Sequence, residues 1–292
     1  MPNKKNKKIV IMIVTIIAVL LLIVLGIILF IVKNSNNTKS NGSVTSDNLS
    51  SIKAGDTIKY GKYEQDNNES DGSESIEWKV LDVQDNNALI VSNAVLDCKK
   101  YNETEDNVSW SDSGLRQWLN SSFYETAFSE EERNNITLSE INNYGTYEGY
   151  DEAGNWTIRN TKSDLNTVIT ETSEQKSTQD YVFLLSIDEV NKYLTSEKER
   201  KAFLSDYGTE VFIKLGIQQA KEYNNANEES IRSYYDASAE RFGRGFCSWW
   251  LRSEGLMQGC ASAVDLDGSV GKSMTVNTED GGVRPAMWIS IH

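Results

Sequence analysis

The stretch GFCSWWLRSEGLMQGCASAVDLDGSVGKSMTVNTEDGGVRPAMWISI, residues 245–291, contains three of the seven tryptophans and two of the three cysteines of the chain. Its WWLR segment at 249–252 alternates as a β-strand does, because successive side chains of a strand point to opposite faces. The pair Asp267-Gly268 lies between two short apolar segments and is a strong local signal of a hairpin turn. Residues 281–289 predict a last strand, and their glycine pair and proline favour a sheet edge. The stretch therefore predicts a compact all-β end of the fold.

The N-terminal part of the chain predicts a membrane anchor. Residues 9–32 are apolar and carry no charge, and as a helix they would be about 36 Å long, more than the roughly 30 Å hydrocarbon layer of a bilayer. Four lysines lie in residues 1–8 and only two in residues 33–40, so the positive-inside rule places the N-terminus in the cytoplasm. A cleavable signal peptide is the alternative, but the run is long for one and no small-residue cleavage site follows. The sequence predicts a single-pass signal-anchor protein of the cell membrane.

The rest of the chain is then predicted to lie outside the cell. Residues 33–51 are almost wholly small and polar, which is typical of a disordered stalk. Residues 52–292 form the predicted extracellular domain. Residues 41–292 carry a net charge of −20, which repels nucleic acid over long range and excludes it as a partner. Neutral sugars, cationic groups, divalent ions and proteins remain as candidate partners. The alternative is that the charge only keeps the domain soluble.

Local patterns predict the elements of this domain. Three serines, Ser129, Ser186 and Ser196, each precede a glutamate by three residues, which is the capping-box signal of a helix start. Residues 142–179 lack a clear period and are interpreted as a long surface excursion. Further strands are predicted at 57–63, 77–83, 88–92 and 181–185, with a hairpin turn at 85–87, and further helices at 115–123 and 210–223.

These landmarks, taken in order, resemble the domain-of-unknown-function family numbered 6273. The resemblance spans residues 52–291 and implies an extracytoplasmic module of Gram-positive bacteria without an assigned activity. The chain end is also similar to the C-type-lectin-like fold, which includes the formylglycine-generating enzymes. The expected fold is therefore α+β, with small twisted antiparallel sheets and several short helices. The matching motifs are IKYGKY (58–63), IEWKVL (76–81), LDC (96–98), LRQWLN (115–120), VFLLS (182–186), WWLRS (249–253) and VRPA (283–286).

Several catalytic classes are excluded by composition. His292 is the only histidine, so Ser-His-Asp and Cys-His catalysis and His-rich metal sites have no histidine to use within the chain. No Walker-type phosphate loop and no dinucleotide fingerprint are present. An enzyme is therefore the least favoured class, and no resident cofactor or metal is expected.

The cysteines allow two interpretations. Cys247 and Cys260 bracket the Trp strand on the side where thiols can oxidise, so a disulfide is predicted. By closing a loop of about 14 residues, this disulfide would stabilise the fold by about 3 kcal/mol in the chain-entropy model. The alternative is a reactive or copper-binding pair, as in the formylglycine-generating enzymes. Cys98 is interpreted as a small buried apolar residue.

The ligand face is predicted on the C-terminal sheet, and each of its residues has a structural alternative. Its tryptophans could stack on sugar rings or fill the core. Its aspartates could bind calcium or form only a turn, and its arginines, with Arg116, could be internal partners of acidic residues or anion clamps. The predicted ligand-binding residues are Trp249, Trp250, Arg252, Asp265, Asp267 and Arg284.

Three functions follow from these observations. The leading hypothesis is a membrane-anchored binding module for an extracellular or cell-envelope ligand, with carbohydrate as one class. The alternative is a protein-interaction or envelope-sensing module without a small ligand. A cysteine-dependent or metal-dependent enzyme is the third.

Overall fold

The computed structural model describes residue 49 and residues 51–160, 165–171, 176–223, 229–230, 232–233, 245 and 247–291. The predicted membrane helix at 9–32 and nearly all of the predicted stalk lie outside these residues. Within them, no helix is long and apolar enough to cross a bilayer. Small, mainly antiparallel sheets and a few helices make the described part an α+β structure, as predicted.

The first sheet joins the two ends of the domain. It has the antiparallel order β1-β2-β3-β14. The predicted hairpin is confirmed, because Gln84 pairs with Asn87 across a two-residue turn in which Asp85 has a φ of 51°. The strand bounds are β1 Thr57–Tyr63, β2 Glu74–Gln84, β3 Asn87–Ser92 and β14 Ala286–Ser290.

The second sheet is built around the predicted Trp strand. Its order is β12-β11-β10-β13-β4, and the pairing of β10 with β13 is parallel. The predicted Asp267-Gly268 turn connects β11 to β12, and Gly268 has a φ of 90°, which favours glycine. The strand bounds are β4 Asp97–Cys98, β10 Trp249–Glu254, β11 Cys260–Val264, β12 Val270–Thr275 and β13 Gly282–Val283.

The predicted single last strand at 281–289 is wrong, because it is divided between the two sheets. β13 lies inside the second sheet, and β14 lies at the edge of the first. The chain changes sheets at Arg284 and Pro285, where proline has no N–H to donate to a ladder. The Pro285 carbonyl still accepts from Ser92 N at 3.0 Å. The proline therefore marks a change of sheet rather than only an edge.

All three predicted capping boxes are present, at Ser129, Ser186 and Ser196. The predicted stripe at 115–123 forms α1 and, through a π-helical turn at Leu119–Phe123, continues into α2. The segment at 210–223 is helical, as predicted, within a helix that begins at Asp206. The helix bounds are α1 Gly114–Trp118, α2 Tyr124–Ala127, α3 Glu130–Asn135, α4 Ile187–Tyr193, α5 Glu197–Arg200 and α6 Asp206–Tyr223.

The predicted surface excursion is more ordered than its sequence indicates. β5 pairs with β9, and a three-stranded sheet has the order β7-β6-β8. Ile141 and Ile158 are its buried anchors. The strand bounds are β5 Ser139–Asn143, β6 Tyr147–Tyr150, β7 Trp156–Arg159, β8 Thr167–Glu171 and β9 Lys176–Asp180.

The predicted buried strand at 181–185 is buried but is not a strand. Among the described residues, this segment forms a single β-bridge, between Phe183 and Ala286, in place of a ladder. The Asn120 side chain takes the place of a neighbouring strand, since its Oδ1 accepts from the N–H groups of Tyr181 and Val182. Its Nδ2 donates to the Val182 carbonyl at 2.8 Å. A side-chain amide can thus satisfy backbone groups that a sheet would otherwise pair.

Candidate functional site

The two tryptophans of the predicted ligand face are core residues. Trp249 and Trp250 are both fully buried, on opposite faces of β10. Trp249 Nε1 donates to the Arg200 carbonyl at 3.0 Å, and Trp250 Nε1 donates to the Lys99 carbonyl at 2.8 Å. Neither indole can stack on an external sugar in this structure, so their structural interpretation applies.

Arg284 is also an internal residue. Its Nε donates to the Ser92 carbonyl at 2.8 Å, and its guanidinium lies 5.0 Å from the centre of the Trp249 ring. Burial lowers the pKa of Arg284 to about 10, which still leaves it charged at neutral pH. Arg284 thus holds the crossing between the two sheets and does not face a ligand.

The two aspartates of the predicted face are exposed but serve the hairpin turn. Asp267 Oδ1 accepts from the N–H and the hydroxyl of Ser269, and the Asp265 carbonyl accepts from Gly268 N. The hydrogen bonds from Ser269 lower the pKa of Asp267. The turn therefore uses the Asp267 carboxylate and the Asp265 carbonyl.

The predicted Cys247–Cys260 disulfide is not formed in this structure, where both residues are free thiols. Trp249 pairs with Val264, so the hairpin register puts Cys247 and Cys260 toward opposite ends of the β10–β11 pair. At about 3.3 Å per residue they are separated by roughly 20 Å along the strands. A disulfide needs Cα atoms within about 7 Å.

Arg252 is a predicted ligand residue that is buried and also lines a cleft. The cleft has a volume of about 280 Å³ and lies between β5, the N-terminus of α4 and the end of β10. We call it the polar cleft. Its polar and aromatic lining residues include Glu140, Asn142, Asn143, Tyr144, Asn160, Asp188, Glu189, Arg252, Ser253 and Trp288.

A charged pair forms the floor of the polar cleft. The Arg252 guanidinium contacts both carboxylate oxygens of Glu189, with Nη2 at 2.8 Å from Oε1. Arg252 also donates to the Leu184 carbonyl at 2.7 Å and lies 5.6 Å from the centre of the Phe183 ring. Bidentate pairing of this kind fixes the orientation of both groups.

The capping box of α4 places Glu189 for this pair. Ser186 N donates to Glu189 Oε2 at 2.8 Å. The same carboxylate therefore caps the N-terminus of α4 and pairs with Arg252. Desolvation alone would raise the pKa of Glu189, but the charge and hydrogen bonds of Arg252, with those of Ser186, lower it overall.

This lowered pKa predicts an acid-sensitive contribution to stability. The ionised Glu189 contributes fully above the unfolded pKa of about 4.3, and the contribution is lost as the pH falls through the lower folded pKa. Glu189→Gln should therefore lower the free energy of unfolding by about 1–3 kcal/mol at pH 7. Urea unfolding from pH 7 to pH 3 should show the two proteins converging in acid. A difference that is constant over this range would contradict the assignment.

A hydrogen-bonded network makes the wall of the polar cleft rigid. Asn160 Oδ1 accepts from the Ser253 hydroxyl at 2.9 Å, and Asn160 N donates to Asp188 Oδ1 at 2.9 Å. Ser253 Oγ in turn accepts from Ile187 N. The network ties β10, α4 and the excursion together, so the cleft is formed before any ligand enters.

Two buried polar atoms of cleft-lining residues have no hydrogen-bond partner among the described residues. They are Arg252 Nε, a donor, and Asn143 Oδ1, an acceptor. The arginine side chain is only 5% exposed. Such an atom without a partner costs about 1–3 kcal/mol, and both atoms belong to residues that line the polar cleft.

The orientation of the Asn143 amide follows from its neighbours. Thr178 donates its hydroxyl proton to Asp180 at 2.7 Å, so it can only accept from Asn143, whose Nδ2 lies 3.2 Å away. Asp180 is fully buried and also pairs with Arg116 at 2.6 Å. Asn143 Oδ1 is thereby fixed as the atom left without a partner.

A larger cleft is less suited to be the site. It has a volume of about 650 Å³ and lies between β1 and the α2–α3 corner. Its central carboxylate, Glu132, already accepts from Gly61 N and Ser129 N. Among the described residues that line it, none carries a buried polar atom without a partner. The hydrogen bonds of Glu132 in this cleft therefore hold β1 against the start of α3.

A family model described as a domain of unknown function, DUF6273, matches residues 85–291, more than half of the chain. The chain belongs to the DUF6273 family. Comparison with curated proteins and with solved structures gives no match.

The DUF6273 segment contains every lining residue of the polar cleft, while β1 and β2 precede it. Most of the DUF6273 cleft was not predicted from the sequence. Ser186 and Glu189 were recognised as a helix cap, but the partner of Glu189 lies in a distant strand. Asn143 and Asn160 fall in a segment without periodicity, where no local signal marks them.

Proposed function

We propose that this protein is an extracytoplasmic binding module that holds a small, neutral, polyhydroxylated ligand of the sugar class in the polar cleft. The observation that carries the proposal is a preformed cleft lined mainly by polar side chains that offer both donors and acceptors, with Arg252 and Asn143 among them. A hydroxyl group both accepts and donates, so ligand hydroxyls match the mixture of donors and acceptors in this lining.

The size of the polar cleft limits the ligand. Small-molecule sites usually measure about 300–1,000 Å³, and the volume of about 280 Å³ is slightly below that range. This suits one or two sugar rings. Tyr144 is 43% exposed beside the cleft and offers an aromatic face to the C–H side of such a ring.

The charge of the polar cleft favours a neutral ligand over an anion. Glu140, Asp188 and Glu189 line it against the single arginine, Arg252, which is already paired. The negative excess repels phosphate and carboxylate groups, in agreement with the acidic composition of the domain. Cell-envelope or extracellular carbohydrate is therefore the proposed ligand.

The proposal includes the display of the domain outside a Gram-positive cell by the predicted membrane helix at 9–32. It also includes a C-type-lectin-like architecture. This is supported by the arrangement of the Trp strand β10, the β11–β12 hairpin and the Val283-Arg284 segment around one small sheet beside helices.

A sugar panel tests the proposal. The full chain in detergent should show a higher thermal midpoint with one sugar class, by about 5–10 °C at a hundred times its Kd. Asn143→Ala should weaken binding about tenfold, since it removes the fixed acceptor. Tyr144→Ala should also weaken it, whereas Tyr150→Ala should not.

Tyr150 is a matched control because it is 42% exposed on the same excursion but does not line the cleft. Unchanged midpoints with every sugar would contradict the proposal and leave ordered water as the partner of the two atoms. Equal losses in Tyr144→Ala and Tyr150→Ala would place the ligand elsewhere.

A protein-interaction module is the second candidate function. It is favoured by exposed apolar side chains on the β7-β6-β8 sheet, where Tyr150 pairs across strands with Trp156 and Ile169 is 57% exposed. Loss of a co-purifying protein in Trp156→Ala, with sugar binding unchanged, would support this function.

A further inference from the structure

Two buried thiols meet where β13 lies between β4 and β10. Cys98 belongs to β4, and Cys247 lies two residues before β10. Each is only 3% exposed, and the Cys247 thiol is near enough to Cys98 to raise the pKa of Cys98. The two cysteines are far apart in sequence, so no spacing motif links them.

Gly282 of β13 provides the space for the Cys247 sulfur and lies directly opposite Cys98. It is the direct cross-strand partner of Cys98, and such partners project to the same face of a sheet. A Cβ atom added at Gly282 would lie 2.7 Å from Cys247 Sγ, so that sulfur occupies the space a side chain would fill. Both thiols therefore lie on one face of this glycine.

We infer that Cys98 and Cys247 form a disulfide when the protein folds outside the cytoplasm, and that Cys260 remains a thiol. Cys260 is partly exposed at the start of β11, and the hairpin register keeps it away from Cys247. The inference rests on the extracytoplasmic placement in the proposed function, but not on the proposed ligand.

The oxidant is a protein or small-molecule disulfide outside the membrane. A thiolate of one cysteine attacks it to form a mixed disulfide and release one thiolate of the oxidant. The thiolate of the second cysteine then attacks the chain's own sulfur and releases the second oxidant thiol. Two S–H bonds and two protons are lost, and two electrons reduce the oxidant to a dithiol.

The reaction belongs to folding rather than to the folded state. The neighbouring Cys247 thiol and burial raise the pKa of Cys98 well above its ordinary value, so Cys98 carries little thiolate in the folded protein. The thiolate is the reacting species. The cysteines must therefore be joined before the sheet closes over them.

Thiol counting on the full chain, extracted from membranes and denatured without reductant, tests the inference. We expect one alkylated thiol, at Cys260, and three after reduction. Peptide mapping should find Cys98 linked to Cys247. In Cys260→Ser no thiol should react before reduction. Three reactive thiols, or a link from Cys247 to Cys260, would overturn the inference.

A stability comparison adds a second readout. Reduction should lower the thermal midpoint by about 5–15 °C, because the link closes a long loop. The double variant Cys98→Ala, Cys247→Ala should show no response to reductant, and thiol mapping still decides if this variant does not fold.

Refolding in glutathione buffer separates two ways in which the inference could fail. A link that forms there but not in cells would refute the external placement, whereas no link in either would refute the geometry.

Discussion

Arg252→Ala is expected to lower the free energy of unfolding by about 3–5 kcal/mol, because it leaves the Glu189 carboxylate half-buried without its cation. The change also removes the donor to the Leu184 carbonyl and the contact with the Phe183 ring. Urea unfolding at pH 7 measures the effect, with the dependence on urea concentration unchanged if the fold is retained.

Arg232 offers the matched control for Arg252. It is 43% exposed and lies 3.5 Å from Glu210, so Arg232→Ala should cost less than about 1 kcal/mol, as surface ion pairs usually do. A double-mutant cycle with Glu189→Ala should show strong coupling to Arg252→Ala. Equal costs for the two arginines would disprove the assigned role of Arg252.

Gly281→Ala is expected to destabilise the fold by about 2–4 kcal/mol. A Cβ atom there would overlap the indole ring of Trp250, which is fully buried and cannot move aside cheaply. Displacing the ring would also break its hydrogen bond to the Lys99 carbonyl. The urea midpoint measures this loss.

Gly114→Ala tests whether the effect is specific to the site. Its nearest neighbour to an added Cβ atom is 3.7 Å away, and it begins α1. Alanine there should stabilise the fold by about 0.4–1 kcal/mol, because it restricts the unfolded chain. If both glycine variants had the same effect, tight packing around Gly281 would not be the cause.

Local signals predicted the parts of the fold that depend on neighbours in sequence. The Ser129, Ser186 and Ser196 caps and the Asp267-Gly268 turn are decided within a few residues, and each is present in the structure. The same reasoning gave the bounds of β1. Local chemistry therefore sets where elements begin and turn.

Long-range geometry decided what the sequence could not show. The same Trp-rich strand that was predicted as a ligand face is buried on both faces, with Trp249 on one and Trp250 on the other. The pairing of Arg252 with Glu189 joins a strand to a helix cap far away in sequence. Nearness along the chain suggested Cys260 as the partner of Cys247, whereas the sheet brings Cys98 beside it.

The division of the last strand between two sheets also affects the order of folding. β14 pairs with β3 and β13 pairs with β4, so the segment near residue 290 completes ladders begun early in the domain. Contacts of such large sequence separation slow folding, because the ends of a long chain must meet before the pairing gains stability. During synthesis, neither ladder can close until this segment has left the ribosome. A nascent domain would therefore wait with open strand edges, which is the state most exposed to chaperones and proteases.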